Sequence, residues 1–507
     1  MVRVGIVEET QACLFSTNGP IKVRDTENRF IRILPEGEWE ARIKNGAPAS
    51  RIFRCQVLRT SDLEKANQKY AQLYQQGMSV VIETEGRLIE SNGRTISDNR
   101  VFLVFTDQKF STKTEAEKYR SSLKDVGTVQ IVEGWDGNPG GTLLLTNLQD
   151  STVQEFHHSL RLEGNTITIR NVDSGQGFHW QSKENRSYTG TLEFRRDNSG
   201  KLTIINELDL EQYLKGVVPS EMPDSFPMQA LKAQAVAVRS VVLRKMGLAH
   251  LGKAFDICDD VHCQVYAGIK EENKNVERAI FETEGMVLMH GEKIAEAVYA
   301  ALCGGHTEAA HNIWSGSETV YLSGVLDQTL KKYETLGDFL KSEKNIRTWI
   351  ENEPKTYCNH LNSSQKRLAE GAAKYFRWEV TYSPEELGNI IAQKTGEKVG
   401  IIKTIRPLAR GVSGRILSLE IQGSLKTIKI EKELTIRQAL SSTTLYSSCF
   451  IVDKLSDGKF KMKGAGLGHG VGMCQYGAAG MALAGKDFLD ILSHYYPGTE
   501  VVRFYAL

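Results

Sequence analysis

The chain has almost no net charge: 63 lysines and arginines against 62 aspartates and glutamates leave +1 over 507 residues. So even a balance excludes bulk electrostatic attraction to nucleic acid or anionic lipid as the basis of its function. No stretch approaches the ~20 apolar residues that a membrane-spanning helix needs, and no fixed-period repeat is visible. The opening MVRVGIVEETQACLF lacks a basic region followed by a long apolar run, so it does not read as a secretory signal. On that ground alone the chain is expected in the cytoplasm. Eight cysteines, at 13, 55, 258, 263, 303, 358, 449 and 474, are too scattered for a small disulfide scaffold, and only Cys258 and Cys263 lie close together. The glycine-rich stretch KGAGLGHGVGMCQYGAAGMALAG (463–485) has no following GK[ST] and does not fit G-x-G-x-x-G, which removes support for nucleotide binding.

What is present suffices for about two to four domains at ~100–200 residues each. Hydrophobic content of 40% and charged content of 25% match an ordinary globular protein with a sizeable core. Residues 1 to about 60 alternate apolar and polar in VRVGIV, ACLFST, IKVRD, FIRIL and RIFRCQVL, the period-two pattern of strands. SDLEKANQKYAQLYQQG has helical spacing and stops at Gly77. VFLVFTDQKF, STKTEAEKYRSSLKD and TVQIVEGW then predict strand, helix, strand, with Ser111 or Thr112 as the cap. Strands return over 160–206, and helices follow at 229–246 and 273–285. The fold class is therefore α+β in several domains: a strand-rich part at 1–78, a small α/β module at 79–150, and a mixed α/β core at 151–507. Residues 325–376, polar and lysine-rich, read as a surface insertion in that core.

Three constellations could carry chemistry. In VVPSEMPDSFPMQALKAQAV (217–236), Pro223 pushes Met222 out of the helical region, so the backbone around Glu221 is expected to be extended or turned. Glu221 is then either a charge serving a helix N-terminus, worth ~0.3–1 kcal/mol, or a partly desolvated general acid. Asp224 is the only other acid nearby. In DICDDVHCQVYAG (256–268), Cys258, His262 and Cys263 are zinc-type ligands without zinc-finger spacing. A complete site needs more from elsewhere: His250, or Cys303 and His306 in ALCGGHTEAAHNIW. Buried thiols without metal are the other reading. In the glycine loop, His469 and Gln475 are the groups able to touch a ligand.

Taken together, LDLEQYLKGVVPSEMP, ALKAQAVAVRS, DICDDVHCQVYAG, CGGHTE, GVSGRILSLEI, GLGHGVGMCQYGAAGMA and ILSHYYPGTEV resemble the successive motifs of the SpoIID/LytB family, the stage II sporulation protein D and amidase-enhancer proteins. They occur in the family's order over roughly 160–507. The resemblance implies a cell-envelope protein, periplasmic or otherwise extracytoplasmic, acting on peptidoglycan in wall remodelling or division. It implies a lytic transglycosylase that cleaves glycan strands stripped of stem peptides, with the motif's acid falling on Glu221. It equally admits a non-catalytic enhancer of a cell-wall amidase. Arg239 is then expected to orient the acid or bind substrate, and His469, Gln475 and Tyr476 to contact glycan. One structural zinc is implied at Cys258 and Cys263, with His250 as the first choice of further ligand and His262 the second. The strand–helix–strand unit near the N-terminus resembles a SPOR module, which binds peptide-free glycan; Phe102, Phe105, Phe110 and Tyr119 are its candidate stacking surfaces or its core.

Overall fold

The structure is a computed structural model that describes residues 1–505 apart from 92, 158, 270–272, 315, 317, 329–335, 353 and 360–370. The chain divides into two compact units: Met1–Ser174 with Ser182–Val217 and Val242–Glu271, and Gly175–Gln181 with Val218–Val241 and Glu272–Leu507. Both strands and helices are abundant in an α+β, multi-domain arrangement, as the sequence predicts.

In the first unit the alternating N-terminal segments are strands, but they do not make a domain of their own. Val2–Thr10 pairs with Leu202–Leu208, and Ile21–Arg24 pairs with Leu160–Glu163, inside one seven-stranded sheet. Ala12–Thr17 and Gly37–Ala47 lie between Gly140–Asn147 and Ile167–Ser174 in a six-stranded sheet. Phe15 of the second sheet meets Phe194 of the first with ring centroids 5.1 Å apart, and Trp39 is buried beside it. Residues 1–47 therefore fold with 140–208, and the boundary expected at 78/79 does not separate two bodies.

Between these strands sits a complete β-α-β-β-α-β module. Its elements are Ser50–Thr60, helix α1 (Leu63–Gln75), Val80–Glu85, Val101–Phe110, helix α2 (Lys113–Ser122) and Gln130–Asp136. The four strands pair in the order fourth, first, third, second, every pair antiparallel. Asp62 caps α1, and Thr112 closes a capping box with Glu115 on α2. The module thus starts near residue 50 and ends near 136, earlier at both ends than the expected 79–150. Phe102 is buried under the helices with Val57, Ala66 and Leu73. Phe105 is buried on the opposite face, with the Arg54 guanidinium 4.0 Å from its centroid. Two of the four aromatics are thus core, while Phe110 and Tyr119 pair at 5.1 Å and stay partly exposed.

The chain enters the second unit within helix α3 (Leu210–Glu221) and leaves it within helix α4 (Met228–Lys245). Asn99 of the inserted module donates to the carbonyls of Leu243 and Met246, satisfying the last turn of α4. The second unit continues with α5 (Lys274–Glu282), α6 (Ala310–Ile313), α7 (Glu343–Glu351), α8 (Pro384–Thr395), α9 (Glu433–Ala439), α10 (Gln475–Leu483) and α11 (Phe488–Tyr495), joined by small sheets. Ser383 closes a capping box with Glu386 on α8, and Gly396 ends that helix in the left-handed conformation.

The segment expected as a surface insertion at 325–376 is, where described, part of the core; residues 329–335, 353 and 360–370 of it lie outside the described residues. Ile346, Trp349 and Ile350 of α7 share one helical face and bury with Leu340, Cys449, Ile451 and Ala465. Glu343, Lys344, Thr348 and Glu351 of the same helix stay exposed, which is why the composition reads as surface. Replacing Ile346 by Ala should cost about 2–5 kcal/mol in a denaturant titration of the intact chain, as for a core aliphatic. A loss below ~0.5 kcal/mol would return this helix to the surface.

Candidate functional site

The second unit zips two of the motifs together. Tyr299–Ala300 runs parallel to Met473–Cys474, and bridges join Leu302 to Leu467 and Glu308 to Val471. The segment carrying CGGHTE therefore lies along the glycine loop. Glu308 is fully buried, and its carboxylate accepts from the backbone N–H of Ala309, Val412 and Ser413, from Asn312 Nδ2 at 2.8 Å and from Ser413 Oγ at 2.5 Å. Val412 and Ser413 belong to the GVSG turn, so one carboxylate fastens a third motif to the other two. Arg415, also fully buried, donates to Ser413 Oγ and to the carbonyls of Cys303 and Gly468. Gly470, at φ +74°, packs on that guanidinium, and a Cβ there would be driven into it. The loop needs glycine there for steric as well as conformational reasons.

Glu221 is the last residue of α3, which carries Pro219 inside it, so the backbone at the acid is helical rather than extended as expected. The helix stops just before Met222, the position that Pro223 restricts. Glu221 thus sits at the negative pole of its own helix, and α4 starts only at Met228. The role of a charge serving a helix N-terminus does not apply to it. It is half-buried, and Gln475 Nε2, the first residue of α10 after the glycine loop, donates to its Oε2 at 3.3 Å. Asp224 is exposed, leaving Glu221 the acid held in place by a second motif.

The other nominated residues divide. Gln475 is buried against Glu221, and Tyr476 is half-buried beside it with its ring edge-on to Phe226 at 5.3 Å. His469 is half-buried in the loop, its Nδ1 accepting from the Val471 N–H, with Trp314 edge-on at 4.9 Å. Trp314 remains 44% exposed, an open aromatic face that no motif had singled out. Arg239 is fully buried and donates to the Met286 carbonyl, so it is closed to direct contact with substrate. Sequence reasoning quoted CGGHTE and GVSG without nominating Glu308, Ser413 or Arg415; the signal was charged and hydroxyl residues inside otherwise apolar, glycine-rich motifs.

The cysteine motif belongs to the first unit. Cys258, Cys263, His250 and His262 each bring a ligand atom within 4.8 Å of all the others. His250 Nε2 lies 3.3 Å from Cys263 Sγ, and His262 Nδ1 lies 3.4 Å from Cys263 Sγ and 3.8 Å from Cys258 Sγ. Both histidines converge, although adjacent His262 and Cys263 would point apart on a regular element; the turn at 261–263 removes that objection. A hydrogen bond from Cys258 holds the Cys263 thiol down to about 7, while that same bond and burial push Cys258 up to about 12. The motif is tied down by buried carboxylates: Asp256 accepts from Arg87 and the Arg3 N–H, and Asp259 pairs with Arg186 at 3.0 Å. Cys303 and His306 do not complete this set: His306 is buried with Nδ1 against the Thr307 carbonyl, and Cys303 joins a different cluster.

Comparison with known proteins agrees with the motif order. Residues 198–290 match the family model described as Stage II sporulation protein, and 308–472 match a domain of unknown function. An uncharacterised protein of Brachyspira hyodysenteriae is 30% identical over 71% of this chain and 85% of its own length. The amidase enhancer of Bacillus subtilis is 26% identical over 72% of this chain, which spans half of that protein. The stage II sporulation protein D of Bacillus amyloliquefaciens is 28% identical over 59% of this chain and 75% of its own length. The chain belongs to the SpoIID family. Its matched family region includes α4, Glu221 and the whole His/Cys cluster, while the glycine loop falls in or beside the second matched domain. No helix among the described residues is long and apolar enough to cross a membrane.

The Gly470→Ala change should lower stability more than Gly458→Ala. Both positions have positive φ, costing about 1–2 kcal/mol for any side chain, but only Gly470 also meets the Arg415 guanidinium. Equal unfolding midpoints for the two variants would show that the loop yields freely around Arg415.

Proposed function

We propose that this chain cleaves peptidoglycan glycan strands as a lytic transglycosylase, with Glu221 as its general acid and base. The observation that carries this reading is the contact from Gln475 Nε2 to Glu221 Oε2 at 3.3 Å, which brings the acid motif and the glycine-loop motif to one carboxylate. Ordinary glycosidases need two carboxylates, one to protonate the leaving oxygen and one to attack the sugar or activate water. In the lytic reaction the C6 hydroxyl of the muramic acid attacks its own C1. Glu221 gives its proton to the departing glycosidic oxygen and then takes the proton of that hydroxyl, so a single carboxyl serves both steps. Membership of the SpoIID family and the amidase-enhancer relative support a role at the cell wall. Half-buried Tyr476 and His469 with exposed Trp314 offer faces suited to sugar rings. In this reading the inserted module contributes glycan binding, and peptidoglycan is the partner.

Glu221→Gln keeps the size and polarity of the side chain but removes the proton donor, and should reduce cleavage of peptide-free glycan at least ~100-fold. Mass spectrometry of wild-type products should find 1,6-anhydromuramic ends. Reducing ends would make water the nucleophile, and full activity in the variant would remove Glu221 from the mechanism. The amidase-enhancer reading rests on the named Bacillus subtilis relative. It would be favoured if purified wild-type protein left glycan intact but accelerated a cell-wall amidase.

We further assign one structural zinc to His250, Cys258, His262 and Cys263. The set supplies two imidazoles and two thiols with no position left open, the donor chemistry of a closed zinc site. Bound there, the ion would fix the 256–263 segment, whose strand Ile257–Cys258 pairs with Val2–Thr10. Protein purified without chelator should lose about one zinc per chain on replacing Cys258 and Cys263 by Ser, with a lower melting temperature. An unchanged metal content would leave these residues as plain thiols and imidazoles.

A further inference from the structure

Four side chains far apart in sequence converge in the core of the second unit: Cys303, Asp327, Cys358 and Cys474. Each brings a ligand atom within 4.8 Å of the other three, and all four residues are at most 2% exposed. Cys303 Sγ and Cys358 Sγ are 3.7 Å apart. A disulfide requires about 2.05 Å, whereas two thiolates on one tetrahedral zinc, at Zn–S of about 2.3 Å, stand roughly 3.8 Å apart. The spacing is that of co-ligands.

The surroundings point the same way. Cys474 is the N-cap of α10, its sulfur accepting from the N–H of Gly477 at 3.3 Å and of Cys303 at 3.2 Å. Cys303 Sγ accepts from the Gly305 N–H at 3.3 Å, and Thr356 Oγ1 lies 3.4 Å from Cys358 Sγ. Backbone N–H groups and a helix N-terminus aimed at sulfur favour the thiolate, the form that binds metal. Asp327 is fully buried and, among the described residues, makes no ion pair; its oxygens accept from the Tyr495 hydroxyl and, at 2.7 Å, from the Cys358 N–H. Hydrogen-bonded outer partners of this kind are what orient metal ligands. Gly477 lets α10 close on the cluster, because a Cβ there would strike both Asp327 and the Tyr495 hydroxyl.

We propose that Cys303, Asp327, Cys358 and Cys474 form a second, structural metal site that takes a thiophilic divalent cation, zinc foremost. It is separate from the His/Cys cluster of the first unit and does not depend on the lytic reading. Three sulfurs select a borderline-soft ion over magnesium or calcium, and four protein donors in a buried core leave no open position for catalysis. The site joins Cys303 of the CGGHTE segment, Asp327 and Cys358, and Cys474 at the start of α10 directly before Gln475.

The test is metal analysis of the full chain purified without chelator, comparing Cys258→Ser/Cys263→Ser with Cys358→Ser. The first variant should retain about one zinc per chain, and Cys358→Ser should lose about one relative to wild type. Cobalt loaded into the first variant should give intense near-ultraviolet thiolate-to-metal absorption and the visible bands of a tetrahedral ion. If Cys358→Ser fails to fold, the cobalt spectrum of the first variant decides alone. That variant, folded but free of zinc and lacking the cobalt bands, would overturn the proposal. So would peptide mapping that finds Cys303 and Cys358 joined as a disulfide.

Discussion

The carboxylate of Glu308 is the interaction on which the second unit turns. A fully buried acid is costly unless its charge is met by donors, and here backbone N–H groups, an asparagine amide and a serine hydroxyl meet it. Those donors come from its own segment and from the turn at 411–414, while the Glu308 N–H donates to the Gly470 carbonyl at 2.8 Å. Arg415 completes the arrangement from the other side by donating to neutral oxygens, those of Ser413, Cys303 and Gly468. The result is a stiff polar core beneath a glycine loop that has little stiffness of its own.

That stiffness explains how a loop of alternating glycines can present side chains at fixed positions. His469 lies in, and Gln475 just beyond, a loop whose backbone is held at Leu467 by Leu302, at Gly468 by Arg415 and at Gly470 by Glu308. Gln475, the first residue of α10, is buried, and its amide donates to Glu221. Glu221 is thus met by a side chain whose own place is set by buried contacts elsewhere in the second unit.

Local signals in the sequence proved readable, and non-local ones did not. Thr112 with Glu115 fixes a helix start through contacts three residues apart, where the sequence placed the cap. The pairing of Val2–Thr10 with Leu202–Leu208 spans some two hundred residues and leaves no trace in either strand's pattern, so the domain boundaries drawn from composition fell in the wrong places. Ile346, Trp349 and Ile350 did carry a helical stripe, hidden by the charged residues Glu343, Lys344, Arg347 and Glu351 around it. Glu221 was legible as an acid because its motif is compact. Its helical backbone was not, because the restriction from Pro223 acts one residue further on. Asp327 and Cys358 had no spacing to betray them, since their neighbours in space come from three distant segments.

The inserted module has a mechanical consequence. The chain leaves the six-stranded sheet at Ala47 and rejoins it at Gly140, and these two residues are partners on adjacent strands. Entry and exit are therefore side by side, with a register shift between Gly140 and Thr142 at the join. A body tethered at one point in this way would ordinarily swivel. Here Asn99 grips the final carbonyls of α4, and Leu248 packs against Leu103 and Phe105. With two strands and a clamp as its attachments, the module behaves as a bracket rather than a bead on a string: a pull on it loads the last turn of α4 directly.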